Sequence, residues 1–284
     1  MTIQPFSCSH CGKCCKDISK KNIHLPLPAP MVNADSSAVG YPVHDRGLMV
    51  NALEREDIIK LAKKHSMKIR FFPLLGYFCK KFKAIFTVTY ILVCDNCPFY
   101  ISDKCIIYKQ RPLTCRSYPI ILNPQGVLPP VTGDKRCPSS TVFSHIPDYW
   151  STHIKLPNYY KFVYALLEDN YVAALKMYYF LELVQKELER VEKKKLIMWE
   201  NFTRTYQKQY KKFQIVDLFS YLRKHDYYSK KKYEKLKDGF HSMQINKLFK
   251  RLKLKLSVPS PREIRKKGLE NLLPSDIQPS SGKI

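Results

Sequence analysis

Cys8-Ser9-His10-Cys11-Gly12-Lys13-Cys14-Cys15 places four thiols within eight residues, spaced C-x2-C-x2-C-C. A second, looser group follows at Cys97, Cys105, Cys115 and Cys137. Thiols gathered this closely serve a metal, a cluster or a disulfide framework rather than packing. Thiolates donate strongly to borderline and soft metals, so the pattern selects zinc, copper(I) or iron–sulfur. Two residues between ligands let the backbone wrap one metal or one cluster face, and Gly12 tolerates the dihedrals such a wrap demands.

Neighbouring side chains diverge, so Cys14 and Cys15 are expected not to aim at one ion. One of the pair then serves a second centre, or is a spare or reactive thiol. Eight cysteines divide into two four-thiolate sites; one four-ligand site with an open or dinuclear neighbour is the other arrangement. Cys8, Cys11 and Cys14 match the first three ligands of a bacterial ferredoxin run, whose fourth is a Cys-Pro dipeptide. Here Cys97-Pro98 and Cys137-Pro138 are both distant in sequence. A structural four-cysteine zinc site needs only two C-x2-C-like halves. Spacing alone leaves iron–sulfur and zinc open, and it is not the C-x3-C-x2-C of a radical S-adenosylmethionine enzyme. His10 is expected outside the ligand set, and His24 and His44 are lone histidines in a Pro-rich loop. Cys79 reads as a small buried hydrophobe, while Cys94, which forms C-x2-C with Cys97, is a candidate extra ligand.

Composition narrows the setting. The chain has 284 residues, 45% of them hydrophobic, and a net charge of +25. Residues 1–140 carry 20 Lys+Arg against 9 Asp+Glu, and the remainder 29 against 15, so the excess is spread over both halves. Such a charge favours polyanions non-specifically. A Lys-rich solvated surface explains it more simply, because no helix-turn-helix or RNA-recognition motif is visible. Weak non-specific nucleic-acid binding is the corresponding expectation. No N-terminal apolar segment reads as a secretory signal, and no apolar run is long enough for a membrane span. The expectation is a cytoplasmic protein with reduced thiols. Ten cysteines, none after Cys137, are too few and too uneven for a disulfide scaffold.

The expected fold class is α+β. A cysteine-rich metal-binding domain over 1–147, with a short strand and helices, precedes a mostly α-helical domain over 148–255 and a disordered tail over 256–284. Pro26, Pro28, Pro30 and Pro42 punctuate an irregular connection. Asn51 is an N-cap with Glu54 three residues on, opening a helix to about Lys64. Residues 82–93 are β-branched and aromatic and read as a strand. Segments 158–195, 196–212, 214–224 and 229–255 have helical periodicity. The Tyr and Phe stripes there read as core packing.

The second thiol group runs Cys105-Ile-Ile-Tyr108-Lys-Gln-Arg111-Pro112-Leu-Thr-Cys115-Arg116-Ser-Tyr118-Pro119. With the C-x2-C-x2-C-C run it resembles the YkgJ-type cysteine-cluster family, described as carrying a zinc- or iron-chelating domain and including relatives of flagellin lysine methylase. The resemblance covers about residues 8–137. It implies that Cys8, Cys11, Cys14, Cys15, Cys97, Cys105, Cys115 and Cys137 form the metal-chelating set, with Cys79 and Cys94 outside it. It favours an iron–sulfur cluster, of 4Fe–4S type, over zinc. Arg111 and Arg116 belong to the motif and would hydrogen-bond cluster sulfurs or offset thiolate charge; a salt bridge or helix cap is the plainer role. Tyr108 and Tyr118 would pack around the site. The leading expectation is a metal-binding protein with an eight-thiolate centre. The enzyme alternative is an S-adenosylmethionine-dependent protein-lysine N-methyltransferase acting on a protein such as flagellin, although no Gly-rich nucleotide loop is visible. A nucleic-acid-associated zinc-cluster module is the third reading.

Overall fold

A computed structural model describes residues 6, 8, 11, 12, 14–16, 38–40, 48–94, 96–121, 132, 133, 137–139, 141, 146, 156–203, 206 and 212–251. The Pro-rich connection after residue 20, His10, His24, His44 and the tail over 256–284 lie outside them. Among the described residues the chain mixes helix with strand.

The centre is the strand anticipated at 82–93. Ala84–Val93 is buried at every position but the last, as expected of an apolar run covered on both faces. Numbering strands and helices along the chain, β1 is Ala38–Gly40, β2 Leu48–Asn51, α1 Ala52–Lys64, β3 Arg70–Cys79 and β4 this central strand. The long β3 was not anticipated. Pro73 and Gly76 disguise it, and both lie at a register irregularity where a strand tolerates them. β3 pairs antiparallel with β4 from Cys79↔Ala84 to Arg70↔Val93. β1 flanks β3. The other side of β4 is shared: β2 pairs antiparallel with its second half, and β9 (Gln214–Asp217) runs parallel to Ala84–Thr87. Between these lie two short hairpins, β5 (Tyr100–Ile101) with β6 (Lys104–Cys105) and β7 (Ile120–Ile121) with β8 (Thr132–Gly133), and the one-turn helix α2 (Leu113–Ser117).

Alternation along β4 feeds different cores. Phe86, Val88 and Tyr90 join the main cluster under the helices. Ile85 joins Phe78 and Phe202 on the opposite face, where Phe78 meets Phe202, Tyr206 and Phe213 at ring separations of 5.2, 4.8 and 5.0 Å. The main cluster includes Leu53 and Leu113 from the first half, and Tyr160, Leu166, Val184 and Phe249 from the second. The change of composition near residue 148 therefore marks a change of secondary structure, while the core runs across it.

The helical region holds α3 (Leu156–Lys193), α4 (Leu218–Lys224), α5 (Lys230–His241) and α6 (Ile245–Arg251). The aromatic stripes are core: Tyr159, Tyr160, Phe162 and Tyr171 are at most 1% exposed. The helix expected over 196–212 does not form at 196–203. There the chain turns back on α3 and β3, with Trp199 Nε1 donating to Leu188 O at 3.1 Å and Glu200 N to Phe78 O at 3.1 Å. The expected helix over 214–224 begins as β9, because Ile215 and Val216 suit a strand. Asp217 then caps α4, its Oδ1 accepting from Ser220 N at 2.8 Å. The 229–255 segment is broken at residues 242–244 into α5 and α6.

Asp217 also accepts from Tyr90 OH at 2.6 Å through Oδ2. One carboxylate thus ties β4 to the start of α4. Asp217→Ala should lower stability by about 2–3 kcal/mol, the sum of a lost cap and a stranded buried hydroxyl. Thermal unfolding by circular dichroism checks this; an unchanged midpoint would show that the carboxylate ties nothing.

Candidate metal centre

Three separate stretches deliver the eight thiols, and the fold brings them together. The N-terminal stretch is held at two points. Phe6 N donates to Leu166 O at 2.7 Å, beside the interruption of α3 at Glu168, whose φ of 40° breaks the helical ladder. Gly12 O then accepts from Cys15 N and Lys16 N, both at 2.8 Å, closing a turn. Gly12 is required there twice over. Its φ is +70°, and a Cβ would stand 2.0 Å from Tyr100 OH.

That turn docks on the second thiol stretch by backbone. Cys97 N donates to Cys15 O at 2.9 Å, and Tyr100 N to Cys97 O at 3.0 Å. Tyr100 pairs with Cys105 across the β5–β6 hairpin. Lys16 Nζ reaches Asp103 Oδ1 at 2.6 Å on the hairpin's exposed side, a contact of small energetic weight in solvent.

Cys115 rides on α2, and α2 is fixed at both ends. Glu54 is fully enclosed. Its Oε1 accepts from Leu113 N at 2.8 Å, and its Oε2 from Asn51 Nδ2 at 2.6 Å. Asn51 Oδ1 meanwhile caps α1 through Leu53 N and Glu54 N at 3.0 and 3.1 Å. The cap anticipated from sequence is therefore also the clamp on α2. At the other end, Asn170 Nδ2 donates to Arg116 O and Tyr118 O at 2.8 and 2.7 Å. Thr114 Oγ1 adds a bond to Met49 O at 2.6 Å. Neither Glu54 nor Asn170 carried a functional signal in the sequence, because each acts across more than 50 residues.

The thiols fall into two groups. Cys15, Cys97, Cys105 and Cys115 pack into one apolar cluster with Leu48, Val50, Phe99 and Ile107. Electrostatics links the thiols in the same way, except that Cys14 acts on both groups. The Cys14 hydrogen bond favours ionisation of Cys15, but the bond to Cys97, burial and the charges of Cys97 and Cys105 outweigh it and push Cys15 up to about 12. Burial, then Cys15 and Cys14, raise Cys115 well above the ordinary thiol value. Cys105 is raised by burial. The second group is Cys8, Cys11, Cys14 and Cys137: burial raises Cys137, and Cys11, Cys8 and Cys14 raise it further. The groups meet at Cys14 and Cys15, whose Sγ atoms are 3.8 Å apart. The expected divergence of these neighbours does not occur, because the tight turn after Gly12 lets both thiols swing to one side.

Arg111 and Arg116 go different ways. Arg111 favours the thiolates of Cys105 and Cys115. Its guanidinium lies 3.7 Å from the Tyr108 ring centroid, with Nε donating to Tyr108 O at 2.9 Å. Arg116 follows Cys115 on α2 and so stands about 100° round the helix from it. It acts on Glu54, Lys176 and His241 instead. Cys79 is fully buried in the main core. The Cys94 thiol donates to Leu92 O at 3.5 Å, and Cys94 packs at the edge of the inner apolar cluster.

Among the described residues, no three His, Cys, Asp or Glu side chains stand converged on a single ion position. The thiol of Cys15 is in hydrogen-bonding contact with those of Cys14 and Cys97. The donor set nonetheless fits a thiophilic metal in type and in number. A bound cation would displace the thiol protons, since thiolates are the ligating form. No protein-family model, curated protein or solved structure matches the chain.

Two predictions follow from this geometry. Gly12→Ala should unseat the N-terminal turn and destabilise the fold, and adding Tyr100→Ala should recover part of the loss. Full additivity in a double-mutant cycle would show that the ring contact is not the cause. Burial, outweighing the bonds from Leu113 and Asn51, pushes Glu54 up to about 7 from an ordinary 4.5. The folded chain therefore holds this proton more tightly than the unfolded one. The stabilisation is complete below pH 4.5 and lost as pH rises to 7. Glu54→Gln should flatten the fall in unfolding free energy over that window, measured by urea titration; an unchanged slope would assign the pH dependence elsewhere.

Proposed function

We propose that this chain is a metal-binding cysteine-cluster protein with two adjacent four-thiolate centres: an inner one of Cys15, Cys97, Cys105 and Cys115, and an outer one of Cys8, Cys11, Cys14 and Cys137. What supports the reading is that Cys15, Cys97, Cys105 and Cys115 share one apolar cluster, against which Cys94 also packs, while Cys79 does not, and that Cys8, Cys11 and Cys14 act on Cys137. The motif resemblance supports the same ligand set. Four thiolates on one divalent ion leave a net charge of −2, and Arg111 beside Cys105 and Cys115 suits that charge.

The contact of Cys15 with Cys97 inside the inner group suits zinc there better than a four-iron cluster. On a tetrahedral ion with bonds of about 2.3 Å, ligand sulfurs stand about 3.8 Å apart, close enough to touch. The Cys15 thiol is in hydrogen-bonding contact with that of Cys97, while its 3.8 Å contact with Cys14 lies between the two groups. A cubane, with one thiolate on each of four irons, would require the inner group to spread. The role is structural: zinc at the inner centre would join the N-terminal turn, the hairpin and α2. The methyltransferase reading rests on the resemblance alone.

Metal analysis of anaerobically purified chain should give two zinc per chain and no colour. Visible absorbance with iron and sulfide would replace zinc by an iron–sulfur cluster, and folded protein free of metal would refute the proposal. Cys115→Ser should lose at least the inner equivalent and lower the thermal midpoint. Cys79→Ser should keep both equivalents, whatever it costs in core packing.

A further inference from the structure

We infer that the β3–β4 turn and the end of α4 form a binding surface for a single strand of nucleic acid, with lysines holding its phosphates and a partly exposed aromatic row stacking its bases. The surface uses none of the thiols and does not rest on the metal reading.

The row is built from two segments distant in sequence. Phe82 lies in the turn over 80–83, closed by Lys83 N donating to Lys80 O at 2.9 Å. Tyr221 is on α4, and His225 ends that helix, its N donating to Tyr221 O at 3.1 Å. Asp226, with a φ of 57°, then reverses the chain. Tyr228 N donates to Leu222 O at 3.0 Å, which returns Tyr227 alongside His225. The rings follow one another: Phe82 to Tyr221 at 5.9 Å, Tyr221 to His225 at 4.2 Å, and His225 to Tyr227 at 6.2 Å with planes 27° apart. Fully buried Phe86 packs edge-on against both Phe82 and Tyr221 from beneath. His225 is exposed, and Phe82, Tyr221 and Tyr227 are partly so. Phe86 already closes the core, so the outer rings are set in place with surface left to offer.

Lysines frame the row. Lys80, Lys81 and Lys83 occupy the turn and Lys224 ends α4. Lys212 enters β9, where Gln214 N donates to Lys83 O at 2.9 Å. All of these lysines are exposed. Lys81 Nζ lies 5.7 Å from the Phe82 ring centroid, so cation and aromatic share one surface. Across residues 80–83, 212–216 and 221–227, Asp226 is the sole acidic side chain. Arg223 is engaged by Glu56, whereas none of the lysines named is in an ion pair with a described residue.

Unpaired ammonium groups beside a row of rings match a ligand that carries regular negative charge and flat apolar faces together. A single strand of nucleic acid has both. A duplex hides its base faces in its own stack, and a sulfated sugar chain has no such faces. The surface lies at the start of β4 and the thiols follow its end, so a strand of ten residues sets them about 30 Å apart.

Fluorescence anisotropy of the full chain with fluorescein-labelled oligouridylate and oligothymidylate of about 16 nucleotides tests this. One or both strands should bind in about 0.1 M salt, and at least about tenfold more tightly than a duplex of the same length. His225→Ala and Tyr227→Ala should each weaken binding about tenfold, the scale of one lost base stack. Lys81→Gln should reduce the slope of log affinity against log salt by about 0.7. Arg70→Glu, at the far end of β3 opposite Val93, changes the charge by more and should alter affinity less than about twofold, because screening isolates it from the surface. No binding of either strand, equal binding of the duplex or of heparin, or a loss with Arg70→Glu as large as with Tyr227→Ala would overturn the assignment. Should the aromatic variants misfold, photocrosslinking of the wild-type chain to strands carrying 5-iodouracil, read by mass spectrometry, decides instead. Crosslinks at Tyr221, His225 or Tyr227 support the surface, and crosslinks confined to other residues overturn it.

Discussion

A backbone hydrogen bond from Cys97 N to Cys15 O joins the two thiol stretches. It fixes the register of a short turn against a hairpin that begins about 80 residues later. Everything proposed for the centre depends on that junction. The bond can form only because Gly12 accepts a left-handed backbone and leaves room for Tyr100. A larger residue would fail on both counts. One glycine and one amide therefore help set how the N-terminal turn sits against the hairpin.

Desolvation sets the chemistry of that centre. Packing thiols among Leu48, Phe99 and Ile107 disfavours their ionisation, as the raised values of Cys105 and Cys115 express; for Cys15 the hydrogen bond with Cys97 raises more than burial does. A thiolate left there without a counter-ion would be costly. A divalent cation reverses the balance, supplying the charge that burial withholds. Arg111 supplies a fixed part of it, and its stacking on Tyr108 keeps the guanidinium in place. Metal uptake by the bare chain would therefore release protons and strengthen as pH rises. Glu54 follows similar physics with a different outcome. Buried beneath α2, it is held by two donors and lies near Arg116, yet burial still leaves it partly protonated near neutrality.

What the sequence disclosed, and what it hid, follows from the range of each interaction. Local signals were legible. The Asn51 cap, the strand ending at Val93 and the helical stripes around Leu175 and Val184 all formed. The break between β9 and α4 at Asp217 was hidden because Gln214 to Lys224 also satisfies a helical pattern; pairing with β4, more than 120 residues earlier, decided it. The contact between the Cys14 and Cys15 sulfurs was not legible from spacing, because it depends on the turn closed by Gly12. Arg111 and Arg116 look equivalent in the motif. Arg111 precedes α2 and Arg116 lies on it, and Arg111 acts on the thiols while Arg116 acts on Glu54 and Lys176. The clamps at Glu54 and Asn170 were invisible because their partners are backbone groups, which every residue has.

X-ray absorption on the purified chain addresses the central claim most directly. The account predicts a zinc edge whose first coordination shell holds about four sulfurs at about 2.3 Å. An iron edge with short iron–iron scattering, or a shell in which nitrogen and oxygen replace sulfur, would contradict it.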